Sequence, residues 1–269
     1  MPWLIAVPIL IVALLAVALR IQPRGFPPYP GAAKSPDWER VPLRVDLPAP
    51  ARRYFEKLFP DGVPLITSAV ISGKATLRLG LPLPARFRFT HDAGKDYRHY
   101  IEVVIFGYPL FKVNERFWDG KGRMELPFAT YEDTRELNSA ANLGLWGESI
   151  WLPSIWLTDS RVRWEAIDDQ SCRLIVPFGA ESDSFTVRFD PQTGMIDTLT
   201  AMRHRDAAPG AKLIGWQNKV LEWRIFHGIA APKVASVQWL DQSKPWALWT
   251  IEEVAYNVDV TEYVRAKGI

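Results

Sequence analysis

The stretch Lys74-Ala75-Thr76-Leu77-Arg78-Leu79 decides the fold class, together with Arg86-Phe87-Arg88-Phe89 a few residues later. Polar and apolar side chains alternate in both segments, with the period of two residues that is typical of a half-buried β-strand. The sequences Asp92-Ala93-Gly94-Lys95 and Asp119-Gly120-Lys121 are typical of tight turns between strands. These patterns predict consecutive β-hairpins.

The same alternation recurs as far as residue 257 and predicts about a dozen strands, joined mostly by hairpin-length connections. Short connections favour an antiparallel meander. Residues 103–106 and 174–176 are apolar on both faces, so one face of the sheet must meet other apolar groups. We therefore predict a mainly β fold, in which one strongly curved antiparallel sheet forms a half-barrel or an open barrel.

A helical insertion interrupts the strands near the middle of the chain. Thr130 and Asp133 fit a capping box, and Pro153 ends the segment, which predicts a helix at about residues 131–152. We expect this helix to fill the concave side of the sheet. Glu148 falls on its apolar face, where a carboxylate is costly to bury without a partner. An ion pair with Arg163 or Arg203 is one explanation, and contact with a ligand is the other.

An apolar ligand between sheet and helix would meet the residues around Glu148. This part of the helix is rich in tryptophan, and the whole chain contains 12 Trp among 269 residues. Tryptophan combines a large apolar surface with one N–H donor, which suits ligand sites as well as cores. The ligand-binding residues that we predict are Leu145, Trp146, Glu148, Ile150, Trp151 and Trp164.

The N-terminal residues 2–19 form an apolar run without a charge. Its length of about 18 residues is at the lower limit for a transmembrane helix. We predict a signal anchor over residues 1–20 that contacts the bilayer through residues 2–19. Cleavage after Ala16-Val17-Ala18 and a buried core helix are the alternatives. Arg20, Arg24 and Lys34 follow the run and favour a cytoplasmic domain. The lipid hypothesis favours the extracytoplasmic side instead, so the membrane side stays open.

The composition and the net charge limit the domain organisation and the possible partners. Prolines concentrate in residues 21–47 and predict a semi-rigid linker, after which residues 48–269 form a single β-rich domain. The net charge is +2, from 32 basic and 30 acidic residues, which argues against nucleic acid as a partner. A single cysteine, Cys172, excludes an internal disulfide.

No catalytic, metal or cofactor motif is evident in the sequence. The four histidines are widely spaced and fit no metal-ligand pattern: His91, His99, His204 and His227. Gly147-Glu148-Ser149 lacks the flanking residues of a nucleophile elbow. We therefore predict no catalytic residues, no metal and no cofactor.

Three segments resemble a family of uncharacterised bacterial proteins with an N-terminal membrane segment, which is known only as a domain of unknown function. They are residues 46–55, residues 138–143 and Tyr256-Asn257-Val258-Asp259-Val260-Thr261-Glu262-Tyr263. The predicted architecture is also similar to the half-barrel of the lipoprotein-localisation-factor carriers, in which a curved sheet covered by helices binds acyl chains. This second resemblance implies an apolar ligand on the concave side.

Three functions are consistent with these observations. The first is a membrane-tethered binding protein that holds a lipid or another apolar ligand between the curved sheet and the helix. The second is a structural or protein-interaction module with a dry core at the membrane surface. The third is a hydrolase-like enzyme, for which Glu148 with a histidine is the only candidate pair. We expect the first, with protein partners unassigned.

Overall fold

The computed structural model describes residues 3–32 and 37–268. The helices are α1 (Trp3–Ala18), α2 (Ala49–Leu58), α3 (Arg135–Glu148), α4 (Ile155–Thr158) and α5 (Thr261–Arg265), and a 3₁₀ turn, Ser149–Trp151, continues α3. The strands are β1 (Arg40–Val41), β2 (Val63–Pro64), β3 (Ser68–Leu79), β4 (Leu81–Asp92), β5 (Asp96–Ile105), β6 (Tyr108–Trp118), β7 (Lys121–Leu126), β8 (Ala129–Glu132), β9 (Arg163–Asp168), β10 (Ser171–Phe178), β11 (Glu181–Phe189), β12 (Ile196–His204), β13 (Leu213–Phe226), β14 (Ile229–Trp239) and β15 (Ala247–Tyr256).

Thirteen strands form one antiparallel sheet in the order β8-β7-β6-β5-β4-β3-β15-β14-β13-β12-β11-β10-β9. The chain runs through two meanders, β3 to β8 and β9 to β15, and the pairing of β3 with β15 joins them in the middle of the sheet. Strands β8 and β9 are the two free edges. The segment with α3 and α4 connects these edges, so it must cross one face of the sheet. The predicted antiparallel sheet of about a dozen strands is confirmed.

Contacts of α3 show that the sheet is strongly curved. The backbone N–H of Gly122 on β7 donates to Asn138 Oδ1 (2.7 Å), and Asn142 Nδ2 donates to Asp183 Oδ2 on β11 (2.8 Å). In a flat sheet, β7 and β11 would lie nine strand spacings apart, about 43 Å. A helix about 10 Å wide touches both. The open sheet therefore wraps around α3, and the predicted position of the helix on the concave side is confirmed.

The predicted start of α3 is wrong by one turn. The N-cap is Thr134, whose Oγ1 accepts from the backbone N–H of Leu137 (3.1 Å). Thr130 instead belongs to β8 and pairs with Glu125 on β7. The local capping signal at Thr130 yields to sheet pairing, because extending the sheet satisfies the same backbone groups. The end of the helix agrees with the prediction, since the 3₁₀ turn extends it to Trp151.

Two glycines allow α3 to approach the sheet. A Cβ atom on Gly144 would lie 3.1 Å from Tyr97 Oη, and one on Gly147 would lie 3.3 Å from the rings of Phe185 and Trp216. These distances leave no room for a larger side chain without movement of the neighbours. The carboxyl-terminal half of α3, which carries Glu148, therefore lies directly on the concave face.

Both predicted turns are hairpins. Gly94 has a φ of 68° in the turn between β4 and β5. Asp119 and Gly120 have φ values of 53° and 75° between β6 and β7. Positive φ at both central residues matches the twist of the strands that such a turn connects. The first of these hairpins sets the register of β4 and β5, on which the candidate site depends.

The N-terminal apolar run forms α1, but the transmembrane helix that we predicted is not found. α1 has 16 residues, which gives a length of about 24 Å against a hydrocarbon core of about 30 Å. Among residues 3–32 and 37–268, no helix combines the length and the apolar character that a membrane crossing needs. Met1 and Pro2 lie outside the described residues. The proposals below therefore make no use of bilayer contact through residues 2–19.

The proline-rich segment lies along the convex face of the sheet. The guanidinium of Arg88 donates to the carbonyl of Pro27, and Arg86 Nη1 donates to the carbonyl of Arg24 (3.2 Å). Tyr29 Oη donates to the carbonyl of Asp259 (2.9 Å). Residues 24–29 are therefore packed on the sheet, while the linker over residues 21–47 and the domain boundaries at residues 20 and 47 stay predictions.

Candidate functional site

The register of the sheet brings five polar side chains to its concave face. His91 on β4 pairs with Tyr97 on β5, and His99 on β5 pairs with Glu115 on β6. Residues paired directly, and residues two apart on one strand, point to the same face. Arg203 reaches the group from β12 on the other side of the curved sheet, where it approaches Glu115 Oε1 (3.9 Å).

Glu148 enters this group from α3. Its Oε2 atom lies 2.5 Å from His99 Nε2 and 3.1 Å from His91 Nε2. The His91 side chain is completely buried, and the Glu148 side chain is 16% exposed. The sequence predicted that this carboxylate needs a buried partner, which is correct, but the partners are two histidines. Arg203 approaches Glu115 at 3.9 Å instead of Glu148.

A second buried carboxylate, Glu115, holds the other side of His99. Glu115 Oε1 accepts from Tyr97 Oη (2.6 Å), and Glu115 Oε2 lies 3.7 Å from His99 Nδ1. Arg203 also donates through Nε to the carbonyl of Ala140 on α3 (2.9 Å). Its guanidinium lies 4.6 Å from the centre of the Trp216 ring, as in a cation–π contact. The site is thus fixed by strands from both meanders and by the helix.

The electrostatics favour a charged His99 beside a neutral His91. Burial alone would lower the pKa of His99, but the carboxylates of Glu148 and Glu115 outweigh it and raise the pKa to about 9. Burial would raise the pKa of Glu115, but His99, Arg203 and Tyr97 bring it down to about 2. Burial lowers the pKa of His91 despite its contact with Glu148. At neutral pH the two carboxylates are balanced by His99 and Arg203.

Three of these groups could also hold a metal ion. His91, His99 and Glu148 each offer one ligand atom, and these atoms lie within 4.8 Å of one another. Two imidazoles with one carboxylate suit zinc, and Glu115 would orient His99 from behind. The same atoms also satisfy one another, because Glu148 accepts from both rings. The proton on His99 would have to leave before a metal bound, so the geometry favours the hydrogen-bonded arrangement at neutral pH.

A cavity of about 80 Å³ lies beside this polar group, between α3 and the strands. Three of the predicted ligand-binding residues line it, Glu148, Ile150 and Trp151, together with Phe89 and Trp249. Leu145, Trp146 and Trp164 are buried in the core, outside this lining. Trp164 packs against Phe55 and Trp156 near the edge of the sheet.

A groove of about 600 Å³ opens next to the cavity. Glu115, Arg203 and Trp246 line both spaces, so they meet at these residues. The other walls of the groove come from β7, β8, α3, β14 and the end of β12 with the segment after it. The apolar members are Met124, Leu126, Tyr131, Leu137, Ala140, Ala207, Ala208 and Trp239, and the polar ones are His204, Arg205 and Asp206. The concave side therefore has a small inner cavity, which borders Glu115, Glu148 and Arg203, and a larger groove outside it.

The spacing of His91 and His99 along the chain did not reveal that they meet, but the hairpin between them does. Once the turn at Asp92 to Lys95 defines a hairpin, His91 and His99 must lie on adjacent strands and on the same face, since both positions are odd. Glu115 follows from the next hairpin by the same counting. Arg203, Trp216 and Trp246 approach the site only through the curvature of the sheet, for which the sequence offered no local signal.

Solved structures with a similar course of the chain share little sequence with it. A LolA superfamily protein from Nitrosomonas europaea matches with 9% identity and a TM-score of 0.47, over 83% of this chain and 99% of that one. A DUF1329 family protein from Desulfovibrio piger matches with 13% identity and a TM-score of 0.44, over 74% and 90%. An outer membrane lipoprotein-sorting protein domain from Vibrio parahaemolyticus matches with 8% identity and a TM-score of 0.43, over 73% and 88%.

Among curated proteins, none matches the sequence. A protein-family match does cover most of the chain, over residues 42–251, and it begins close to the predicted start of the β-rich domain. This range includes every strand from β2 to β14 and all the residues of the candidate site. The chain belongs to DUF6544, a family of unknown function.

Proposed function

We propose that the protein binds a lipid-like, amphipathic molecule on the concave side of the sheet. The observation that carries this proposal is the groove with largely apolar walls that opens onto a small cavity beside Glu115, Glu148 and Arg203, between α3 and the strands. The groove, at about 600 Å³, falls within the range of about 300–1,000 Å³ that is common for small-molecule sites. The cavity, at about 80 Å³, holds only a small chemical group. The apolar part of the ligand lies in the groove.

The walls of the groove suit an alkyl chain. Leu137 and Ala140 line it from α3, and Trp239 lines it from β14. Both α3 residues are buried, and Trp239 is 7% exposed. A chain that enters here removes apolar surface from water, which stabilises the complex by about 25 cal/mol for each Å² buried. Regular elements form most of the groove, and residues 205–208, which follow β12, complete its wall.

The cavity is where the polar end of the molecule would lie. Glu115 and Arg203 mark the junction between groove and cavity. Both side chains are engaged with each other and with their neighbours, so the junction is a fixed wall. An amphipathic molecule would therefore bind in one orientation, with its polar end inward.

Direct binding of 1-dodecanol to the purified full chain tests the proposal. We expect saturable one-to-one binding by isothermal titration calorimetry. Ala140→Phe places a ring in the groove and should weaken binding at least about tenfold, because it occupies the volume that the chain needs. The matched control is Arg135→Phe on the same helix, where the side chain is 81% exposed, and it should leave the affinity unchanged. Thermal unfolding of both variants checks that they fold.

Two results would overturn the proposal. One is the absence of dodecanol binding by the wild type, together with the absence of lipid in organic extracts of gently purified protein. The other is binding that Ala140→Phe leaves unaltered, which would place the molecule elsewhere.

A further inference from the structure

Three buried N–H groups beside the cavity have no hydrogen-bond partner among the described residues. They are Trp216 Nε1, Asn218 Nδ2 and Trp246 Nε1, and all three residues line the cavity. Trp216 is 4% exposed. A buried donor without a partner is costly, because it has lost its hydrogen bonds to water. Three such donors at one cavity indicate that an acceptor binds there.

The strands bring these donors to one wall. Trp216 and Asn218 lie two residues apart on β13 and therefore point to the same face. Asn218 pairs with Val237 on β14, and the carbonyl of Val237 accepts from the backbone N–H of Trp246 (2.9 Å). The donors thus come from β13 and from the connection between β14 and β15, which are neighbours in the sheet.

The acceptors at the same place are already engaged. Glu148 accepts from His91 and His99, and Glu115 accepts from Tyr97. Among the described residues that line the cavity, the buried side-chain groups without a partner are all donors. A ligand that only accepts would use them without breaking any of these contacts.

The charges beside the cavity are paired with one another, since Arg203 approaches Glu115 and His99 contacts Glu148. The guanidinium of Arg203 lies over the Trp216 ring at 4.6 Å, so a positive charge stands beside one of the free donors. A cavity of about 80 Å³ has room for a few water-sized atoms, which is the size of a carboxylate. Ionised acceptors form stronger hydrogen bonds than neutral ones.

We infer that this cavity is a head-group site for a carboxylate, and that the ligand class is a long-chain fatty acid. The inference rests on the proposed function, since the groove must accept the alkyl chain. Trp216 and Trp246 bind the carboxylate through their indole N–H groups, and Asn218 binds it through its amide.

The test compares dodecanoate with 1-dodecanol, which have the same chain length and different head groups. At pH 8, where dodecanoate is ionised, calorimetry on the full chain should show at least about tenfold tighter binding of the acid, as expected for a charged acceptor. Trp216→Phe removes the N–H and keeps an aromatic ring. It should lower the affinity for dodecanoate about tenfold and change that for dodecanol less than threefold.

A second variant keeps the inference testable if Trp216→Phe does not fold. Asn218→Asp replaces a donor by a carboxylate of the same size, and it should abolish the preference for the acid. Trp118→Phe makes the same ring exchange on β6, where the residue is 39% exposed and lines neither the cavity nor the groove, and it should leave both affinities unchanged.

The outcomes separate the two proposals. Equal affinities for the acid and the alcohol, or a preference that survives both Trp216→Phe and Asn218→Asp, would refute the carboxylate site and leave the binding groove in place. If neither compound binds the wild type, the proposed function fails as well.

Discussion

Replacement of Glu148 by Gln tests whether the buried polar group holds α3 against the sheet. Glu148 lies 2.5 Å from His99 and 3.1 Å from His91, whereas Glu115 lies 3.7 Å from His99. The pKa of His99 rises from 6.5 to about 9 in the folded protein. This rise corresponds to a preference for the imidazolium of about 3 kcal/mol, to the nearest order of magnitude.

Glu148 supplies the larger part of this preference because it is the nearer carboxylate. We therefore expect Glu148→Gln to lower the free energy of unfolding by about 2 kcal/mol at pH 7. It should also bring the pKa of His99 down towards its ordinary value, since only Glu115 then remains beside the ring. Urea unfolding followed by circular dichroism measures the first change, and NMR titration of the histidine ring protons measures the second.

Glu165→Gln is the matched control, because Glu165 pairs with Arg173 on the surface at 3.7 Å and its side chain is 51% exposed. That change should cost less than about 0.5 kcal/mol. If Glu148→Gln were as mild as the control, or if it left the pKa of His99 near 9, the described role of Glu148 would be refuted.

Further predictions concern pH and packing. Because the pKa of His99 is raised in the folded state, its contribution to stability should be complete below about pH 6.5 and disappear as the pH rises through 9. Urea unfolding between pH 6 and 10 measures this decline. A stability that stays constant over this range would show that His99 is uncharged in the folded protein. Gly122→Ala should lower the free energy of unfolding by about 1–3 kcal/mol, since a Cβ atom there would lie 3.0 Å from the carbonyl of Leu137. Urea unfolding measures this change, and an unaltered stability would contradict the close approach of α3 to Gly122. Trp151→Phe should lower the free energy of unfolding by about 1 kcal/mol, because Trp151 Nε1 donates to the carbonyl of Pro232 (2.9 Å). An unaltered free energy in urea unfolding would show that this hydrogen bond is not formed in solution.

The alternation of side chains was enough to predict the strands and the hairpins, because each pattern is local. The turn with Gly94 and the turn with Asp119 and Gly120 need positive φ, and their sequences show it directly. The pairing of β3 with β15 was not predictable in this way, since no local pattern links residues 69–77 with residues 247–256. Curvature followed from apolar character on both faces, but its extent depends on how α3 packs.

The candidate site, like the fold, was predictable from the sequence only in part. The need of Glu148 for a partner was visible in the sequence, because a carboxylate on an apolar helix face requires one. The sequence did not show which residues are the partners of Glu148. They depend on the register between β4 and β5 and on the side of α3 that each strand occupies. The predicted transmembrane helix is not found among the described residues, because composition alone does not fix the length of a helix, and α1 ends at Ala18.

The most direct test of the central claim is a crystal structure of the full chain with dodecanoate. We predict electron density for the alkyl chain between Ala140 and Trp239, with a carboxylate oxygen within hydrogen-bond distance of Trp216 Nε1. Density that lies only on the outer surface, with water alone in the cavity and the groove, would contradict the account.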